Sequence, residues 1–125
     1  MRIIIAGAGK LGFSIAQLLA EDQFDVVVVE IDPKRKEVVQ NSLDVLAIEG
    51  NSCSPTVFAD PDVRGADVLI ACTDGDEVNM VTCLMAKNYG IKHTVARIRN
   101  VDYAVHAPDM LHRDMKIDLV INPER

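Results

Sequence analysis

The chain has 125 residues, 49% of them hydrophobic, and a formal net charge of −6 at pH 7. At roughly 100 to 200 residues per domain, this length predicts one domain with its own apolar core. The scattered lysines and arginines argue against nucleic-acid binding, which needs a dense basic patch, and no stretch approaches the roughly 20 apolar residues of a membrane span.

Short runs of branched apolar residues alternate with segments of helical periodicity, which is typical of βαβ units and a parallel sheet. The runs are nearly continuous in Ile, Val and Leu, as expected where helices cover both faces of the sheet. The sequence therefore predicts an α/β fold with a mainly parallel, six-stranded sheet. The predicted strands are 2–6, 26–31, 44–48, 68–72, 94–97 and 119–121.

Three helices are predicted in the first half of the chain. The first ends near Asp22, and we expect one of its faces to pack on the sheet. That face is formed by Leu11, Ile15, Leu18 and Leu19. The second begins with Asp32 as N-cap and Pro33 in its first turn, and a short third begins with Ser54 and Pro55 in the same arrangement.

Two further helices are predicted in the second half. The fourth covers 76–89 and is closed by Gly90, a residue suited to the left-handed position after a helix. We expect its inward face to be formed by Val78, Val81 and Met85. A fifth is predicted over 101–111, where Pro108 requires a kink, a late start or a break.

A glycine motif, Gly7-Ala8-Gly9-Lys10-Leu11-Gly12, directly follows the first strand and opens the first helix. Gly7 permits a tight turn, Gly9 lets the backbone approach a pyrophosphate, and Gly12 allows the helix to pack closely on the strand. Lys10 is either a phosphate contact or a solvated helix residue. This context favours a Rossmann-type doubly wound fold that binds a nucleotide over a turn that holds no ligand.

An acid about 20 residues later completes this fingerprint, and Glu30 stands there after four valines. We expect Glu30 to accept hydrogen bonds from an adenosine ribose rather than to be an ordinary solvated carboxylate. A carboxylate there repels a 2′-phosphate and so favours NAD over NADP, although Lys34 and Arg35 lie nearby. Asp32 is either a ribose contact or an N-cap, and the N-cap is favoured.

Polar loops follow strands three and four, where an open α/β sheet places its ligand crevice. Asn51-Ser52 is a candidate edge for the adenine, and Thr73 and Asp74 are candidates to meet the distal ribose or a phosphate. The alternative for the second loop is that Asp74 or Asp76 caps the fourth helix. Arg97, at the end of strand five, offers a charge for phosphate or ribose oxygens, with a surface ion pair as the alternative.

The sequence provides no catalytic or metal-ligating constellation. We expect the cysteines to be buried or incidental thiols, because no two stand at CxxC spacing; they are Cys53, Cys72 and Cys83. The histidines belong to no evident acid–base catalytic constellation and are expected to be surface or packing residues; they are His93, His106 and His112.

With these residues in place, the whole chain resembles the RCK/KTN family of nucleotide-binding domains, as found at the N-terminus of Trk-type potassium-uptake regulators. The glycine motif is shared with many dehydrogenases, whereas the stretches 73–80 and 96–100 are more specific to this family. Glu30, Gly50-Asn51-Ser52 and the stretch 121–124 add to the resemblance, although many relatives carry an acid in place of Asn51.

The resemblance implies a regulatory domain without enzymatic activity. It implies that Gly7 to Leu11, Glu30, Thr73, Asp74 and Arg97 bind an adenine nucleotide, NAD(H) before ATP or ADP. It further implies a cytoplasmic homo-oligomer, a dimer or a tetrameric ring, at the inner face of the membrane beneath a potassium-translocating subunit. Because the family usually carries further domains, we expect residues 1–125 to be one domain of a longer chain.

Two alternatives remain open. The same Rossmann motif serves the cofactor-binding half of NAD-dependent oxidoreductases. A structural subunit with a degenerate ligand site is the other alternative, and it requires an empty glycine loop.

Overall fold

The computed structural model describes residues 1–123, so Glu124, part of a stretch typical of the family, lies outside the described residues. The strands are β1 (Arg2–Ala6), β2 (Asp25–Glu30), β3 (Leu46–Glu49), β4 (Val68–Ala71), β5 (His93–Arg97) and β6 (Leu119–Ile121). The helices are α1 (Lys10–Glu21), α2 (Pro33–Ser42), α3 (Pro55–Ala59), α4 (Asp76–Asn88) and α5 (Val101–His106), followed by a π-helical turn (Met110–Asp114).

The strands form one six-stranded sheet in the order β3-β2-β1-β4-β5-β6, and every neighbouring pair is parallel. After β3 the chain crosses back to place β4 on the other side of β1. The direction of winding therefore reverses between β1 and β4, where a crevice opens at the carboxyl ends of the strands. This confirms the predicted Rossmann-type, doubly wound fold.

Alternate residues of the central strands enter two apolar cores, one on each face of the sheet. Ile4 packs with Phe58 of α3 and Met80 of α4 on one face. Ile5 packs with Ala16 of α1 and Val39 of α2 on the other. Because both faces are covered, the strands read as continuous apolar runs, as the sequence predicted.

The predicted face of α1 is wrong at Leu18, which is 67% exposed. The buried side of the helix is centred on the small residues Gly12 and Ala16, which let the backbone approach the sheet. Leu18 lies on the solvent side of the helix, whereas Leu11 and Ile15 pack against the core as predicted.

The predicted face of α4 is wrong at Val78 and Val81, which are 39% and 40% exposed. The side that faces the sheet includes the buried polar residues Asn79 and Thr82. Both side chains are hydrogen-bonded to residues of neighbouring loops, so their burial leaves no polar group unsatisfied. A pattern of apolar residues alone could not identify such a face.

Several helix and strand ends confirm the predictions and others correct them. Strand β3 begins two residues later than predicted, because the pairing with β2 starts at Leu46. Helix α5 ends at His106, ahead of the break expected at Pro108. Gly90 has the predicted left-handed conformation, with φ +94°, and closes α4 through hydrogen bonds from Gly90 N to Lys87 O and from Ile91 N to Ala86 O.

Across residues 1–123, no helix combines the length and the apolar character needed to cross a bilayer.

We expect Gly12→Ala to lower the free energy of unfolding by about 1–3 kcal/mol or more, as overpacking does. The reason is that a Cβ atom at Gly12 would lie 1.8 Å from the carbonyl oxygen of Gly7. Urea denaturation measures the loss. Gly9→Ala is the matched control, because its nearest neighbour, Arg35 Nη1, is 3.7 Å away and an alanine N-cap costs less than about 1 kcal/mol relative to glycine. Equal losses in the two variants would contradict the packing role of Gly12.

Candidate functional site

A cleft of about 280 Å³ opens at the carboxyl edge of the sheet, where β1, β2 and β4 end. Its volume is close to the lower end of the range for small-molecule pockets, roughly 300 Å³. Both helices that follow the central strands, α1 and α4, begin at its rim. Of the residues predicted to bind a nucleotide, the cleft is lined by Gly7, Gly9, Glu30, Asn51, Ser52, Thr73 and Asp74.

The remaining predicted residues lie around the cleft without lining it. Leu11 packs against the core, and Gly12 is buried against Gly7. Lys10 is exposed at the start of α1. Arg97 is only 8% exposed, so its side chain is buried rather than at the surface.

Asp32 has the capping role that the sequence favoured. Its side chain accepts a hydrogen bond from Lys34 N at 3.0 Å and begins α2.

The glycine turn is shaped by close contacts with the neighbouring strands. Gly7 has φ +103°, and a Cβ atom there would lie 2.9 Å from Thr73 N. Its own N–H donates to Val29 O at 2.9 Å, which ties the turn to the end of β2. A side chain at Gly7 is therefore excluded by both conformation and space. Gly9 differs, because no protein atom crowds it and its backbone faces the cleft.

Glu30 is the buried acid of the cleft, with 5% of its surface exposed. One carboxylate oxygen, Oε1, accepts from Ala8 N at 2.7 Å, and the other, Oε2, accepts from Asp32 N at 2.8 Å. The interpretation of Glu30 as a solvated carboxylate is therefore wrong. An ionised carboxylate has about four acceptor sites, so each oxygen retains capacity for a ligand hydroxyl.

The two helices that begin at the cleft differ from the other three α-helices in how they are capped. The N-caps of α1 and α4 are Gly9 and Gly75, and neither makes a side-chain capping bond. Side chains cap α2, α3 and α5 at Asp32, Ser54 and Asn100. The first turns of α1 and α4 thus direct backbone N–H groups at the cleft. The start of α1 favours an anion, because its first turn holds no acidic residue, whereas that of α4 holds Asp76 and Glu77.

The prediction that Asp74 or Asp76 caps α4 is wrong. The carboxylate of Asp76 instead accepts from Arg99 N and Asn100 N, both at 2.9 Å, and so joins α4 to the segment after β5. Asp74 extends into the mouth of the cleft, where its Oδ2 lies 3.8 Å from Arg35 Nη1.

The loop after β4 is held by Asn79, which the sequence analysis did not identify. Asn79 Oδ1 accepts from Thr73 N at 3.0 Å and from Thr73 Oγ1 at 2.6 Å. Its amide nitrogen donates to Arg97 O at 2.8 Å. This single side chain fixes the Thr73 loop to both α4 and the end of β5. The sequence signal that could have identified Asn79 is a polar asparagine at a helical position that must face the sheet.

The cleft residues that were missed as site residues include Ile31, Val78 and Arg35. Ile31 is 64% exposed directly after Glu30, and Val78 is 39% exposed in the first turn of α4. Exposed apolar side chains at a cleft offer surface for a planar base. Ile31 could have been identified as a cleft residue because it is an apolar residue immediately beyond the end of β2. Val78 was missed because its helical spacing assigned it to the core.

A family model described as the TrkA-N domain matches residues 3–123. The chain is 43% identical over 129 residues to the Trk system potassium uptake protein TrkA of Azorhizobium caulinodans, covering 99% of this chain and 28% of that protein. It is 41% identical over 124 residues to the TrkA homolog of Archaeoglobus fulgidus, with the same coverages of 99% and 28%. The chain therefore spans about 28% of the length of these curated relatives.

Solved structures share the fold at low sequence identity. The TrkA-N domain of the inner membrane protein ybaL from Escherichia coli has a TM-score of 0.83 at 18% identity, covering 99% of this chain and 88% of that one. The GsuK channel bound to NAD has a TM-score of 0.79 at 18% identity, covering 96% of this chain and 21% of that one. The Kef CTD of Shewanella denitrificans in its AMP-bound form has a TM-score of 0.77 at 17% identity, covering 98% of this chain and 71% of that one.

The cysteines differ in their access to solvent. Cys72 lines the cleft and Cys83 lies on the face of α4 that packs on the sheet, and both are buried, as expected. Burial raises the pKa of the Cys72 thiol to about 12, a shift that Arg97 opposes and Glu30 reinforces. Burial likewise raises the pKa of Cys83 to about 12. Cys53 is only partly buried, with its Sγ 3.5 Å from Val78 O.

We expect iodoacetamide at about pH 8 to alkylate only Cys53 in the folded chain, because a thiol of pKa 12 is roughly one part in ten thousand thiolate at that pH. Labelling of Cys72 and Cys83 should rise only as the pH approaches their raised pKa values. Mass spectrometry counts the adducts, and the urea-unfolded chain should take up one at each of the three cysteines. A Cys53→Ser variant should remain unlabelled when folded. Rapid labelling of Cys72 would show that the cleft opens.

Proposed function

The chain belongs to the TrkA-N domain family, and from this premise we propose that it is the nucleotide-binding regulatory domain of a Trk-type potassium uptake system. The observation that supports this most strongly is the buried carboxylate of Glu30 beside two glycine-capped helix N-termini. The carboxylate provides acceptors for ribose hydroxyls, and the helix ends provide donors for phosphate oxygens. The cleft thus has the two kinds of group that an adenine nucleotide requires.

The proposed ligand is NAD or NADH, with ATP and ADP as further candidates. Glu30 disfavours a 2′-phosphate, because its carboxylate is buried and held close to the expected ribose position by Ala8 N and Asp32 N. Asn51 and Ser52 are proposed to border the adenine, and the apolar side chain of Ile31 lines the same cleft. NAD in the GsuK channel and AMP in the Kef domain support an adenine nucleotide in this fold.

The two sides of the cleft are fixed to different strands and helices, and the proposed regulation depends on this difference. Glu30 fixes the glycine turn to β2, whereas Asn79 fixes the Thr73 loop to α4 and β5. A nucleotide that contacts both sides couples these elements. Ligands of different length or charge then favour different arrangements, provided that each binds the two arrangements unequally.

The partner in this proposal is a potassium-translocating membrane subunit. The domain acts as part of a homo-oligomer, a dimer or a tetrameric ring, at the cytoplasmic face of the membrane. The name Trk system potassium uptake protein of the relatives supports this assignment. In this proposal residues 1–125 are one domain of a longer chain, and that chain relays the ligand-dependent arrangement to the membrane subunit.

An oxidoreductase remains the alternative function, because the same fold delivers hydride in dehydrogenases. The three histidines, all within the described residues, do not line the cleft. His93 and His106 are exposed, and His112 Nδ1 lies 2.9 Å from Ile117 O. Their positions favour the regulatory function over acid–base catalysis at the cleft. Steady turnover of NADH with a small carbonyl substrate by this chain would instead support the oxidoreductase.

We expect calorimetric titration to show binding of NAD, NADH, ATP or ADP, and weaker binding of NADP. Glu30→Gln should weaken that binding about tenfold or more, because it removes the charged acceptor for the ribose and its amide nitrogen can no longer accept from Ala8 N or Asp32 N. The matched control is Glu49→Gln, which removes the same charge from the exposed residue paired with Glu30 on β3.

Gly9→Asp provides an independent test, since it places a carboxylate against the phosphates and leaves Glu30 intact. Loss of binding in both Glu30→Gln and Gly9→Asp, with Glu49→Gln unchanged, is the expected pattern. Wild-type chain that binds none of the five nucleotides would contradict the proposed function.

A further inference from the structure

Arg35 and Asp74 face each other across the mouth of the cleft. Arg35 lies in the first turn of α2 and Asp74 lies in the loop after β4, so the pair joins the two sides of the cleft. Their closest atoms, Nη1 and Oδ2, are 3.8 Å apart, and the side chains are 50% and 70% exposed. An exposed ion pair at this distance contributes little to stability and is easily exchanged.

The guanidinium of Arg35 also lies over the start of α1. Its Nη1 is 3.7 Å from the position that a Cβ atom at Gly9 would occupy. Gly9 is the N-cap of α1 and lacks a side-chain capping bond. Arg35 thus adds a full positive charge to the part of the cleft where backbone donors and the helix dipole already favour an anion.

A guanidinium binds phosphate through paired, charge-assisted hydrogen bonds that are shorter and stronger than a 3.8 Å contact with a solvated carboxylate. A phosphate at the start of α1 would therefore compete effectively with Asp74 for Arg35. Asp74 itself is released by that exchange. Its loop is anchored to α4 through Thr73 and Asn79, so the exchange acts directly on the loop that borders the cleft.

We propose that Arg35 determines specificity for the 5′-phosphates of the nucleotide, and that it exchanges Asp74 for them on binding. This inference rests on the proposed function. Arg35 is a cation within reach of either a 5′-phosphate chain or a 2′-phosphate, but its position over Gly9 assigns it to the 5′-phosphates. The carboxylate of Glu30 occupies the ribose side of the cleft.

The test titrates the wild-type chain and its variants with adenosine, AMP, ADP and 2′-AMP, followed by backbone amide NMR shifts, which also report weak binding. Arg35→Gln should weaken ADP binding about tenfold, the loss expected for one charged hydrogen-bonding group. Adenosine and 2′-AMP binding should change less than about twofold. The matched control is Lys34→Gln, which removes the same charge from the adjacent exposed residue outside the cleft lining and should leave all four affinities within about twofold.

Asp74→Asn tests the exchange itself. Removing the competing carboxylate should strengthen ADP binding about two- to fivefold, the size of a surface ion pair. The gain should be clearly smaller in the double variant with Arg35→Gln, since only the repulsion between the carboxylate and the phosphates is then relieved and no guanidinium is released. A gain of equal size in the double variant would contradict the exchange.

The outcomes separate this inference from the proposed function. Wild-type chain that binds none of these compounds would overturn the role of Arg35, and absence of NAD, NADH and ATP binding as well would overturn the proposed function. Wild-type chain that binds ADP, together with an unchanged ratio of ADP to adenosine affinity in Arg35→Gln, would overturn the role of Arg35 alone. A loss confined to 2′-AMP would overturn its assignment to the 5′-phosphates. Thermal unfolding of each variant verifies that it is folded, which the exposure of Arg35 leads us to expect.

Discussion

The shape of the cleft depends on one buried carboxylate. Burying an ionised group is costly unless hydrogen bonds replace its water, and Glu30 meets this requirement with two backbone N–H groups. Those donors belong to Ala8 in the glycine turn and to Asp32 at the start of α2. The same contacts that stabilise the charge therefore hold the turn against the end of β2. Gly7 and Gly12 complete the arrangement, because a side chain at either would collide with neighbouring backbone.

The parts of the fold that the sequence predicted well are those determined within a few residues. Strand runs, the glycine turn, the Asp32 and Ser54 caps and the Gly90 helix end all follow from local conformational preferences. The Glu30 position followed from its distance to the glycine motif. The inward face of α4 could not be predicted in this way, because Asn79 and Thr82 are buried through hydrogen bonds to loops distant in sequence. Arg35 was noted only as a nearby charge, since its position over Gly9 depends on how α2 packs.

The cleft joins elements that are otherwise attached to different parts of the sheet. On one side, the glycine turn and α2 are tied to β2 through Glu30. On the other, the Thr73 loop is tied to α4 and β5 through Asn79. A ligand that contacts both sides can convert its binding free energy into a change in their relative arrangement. This provides a physical basis for the proposed regulation.

The most direct test of the account is amide hydrogen exchange of the chain with and without saturating NADH. We expect slower exchange in two segments at once, the glycine turn from Gly7 to Leu11 and the loop from Thr73 to Gly75, because the ligand bridges them. Exchange elsewhere on the sheet should change little. Protection of only one segment would contradict bridging, and unchanged exchange in both would contradict nucleotide binding at this cleft.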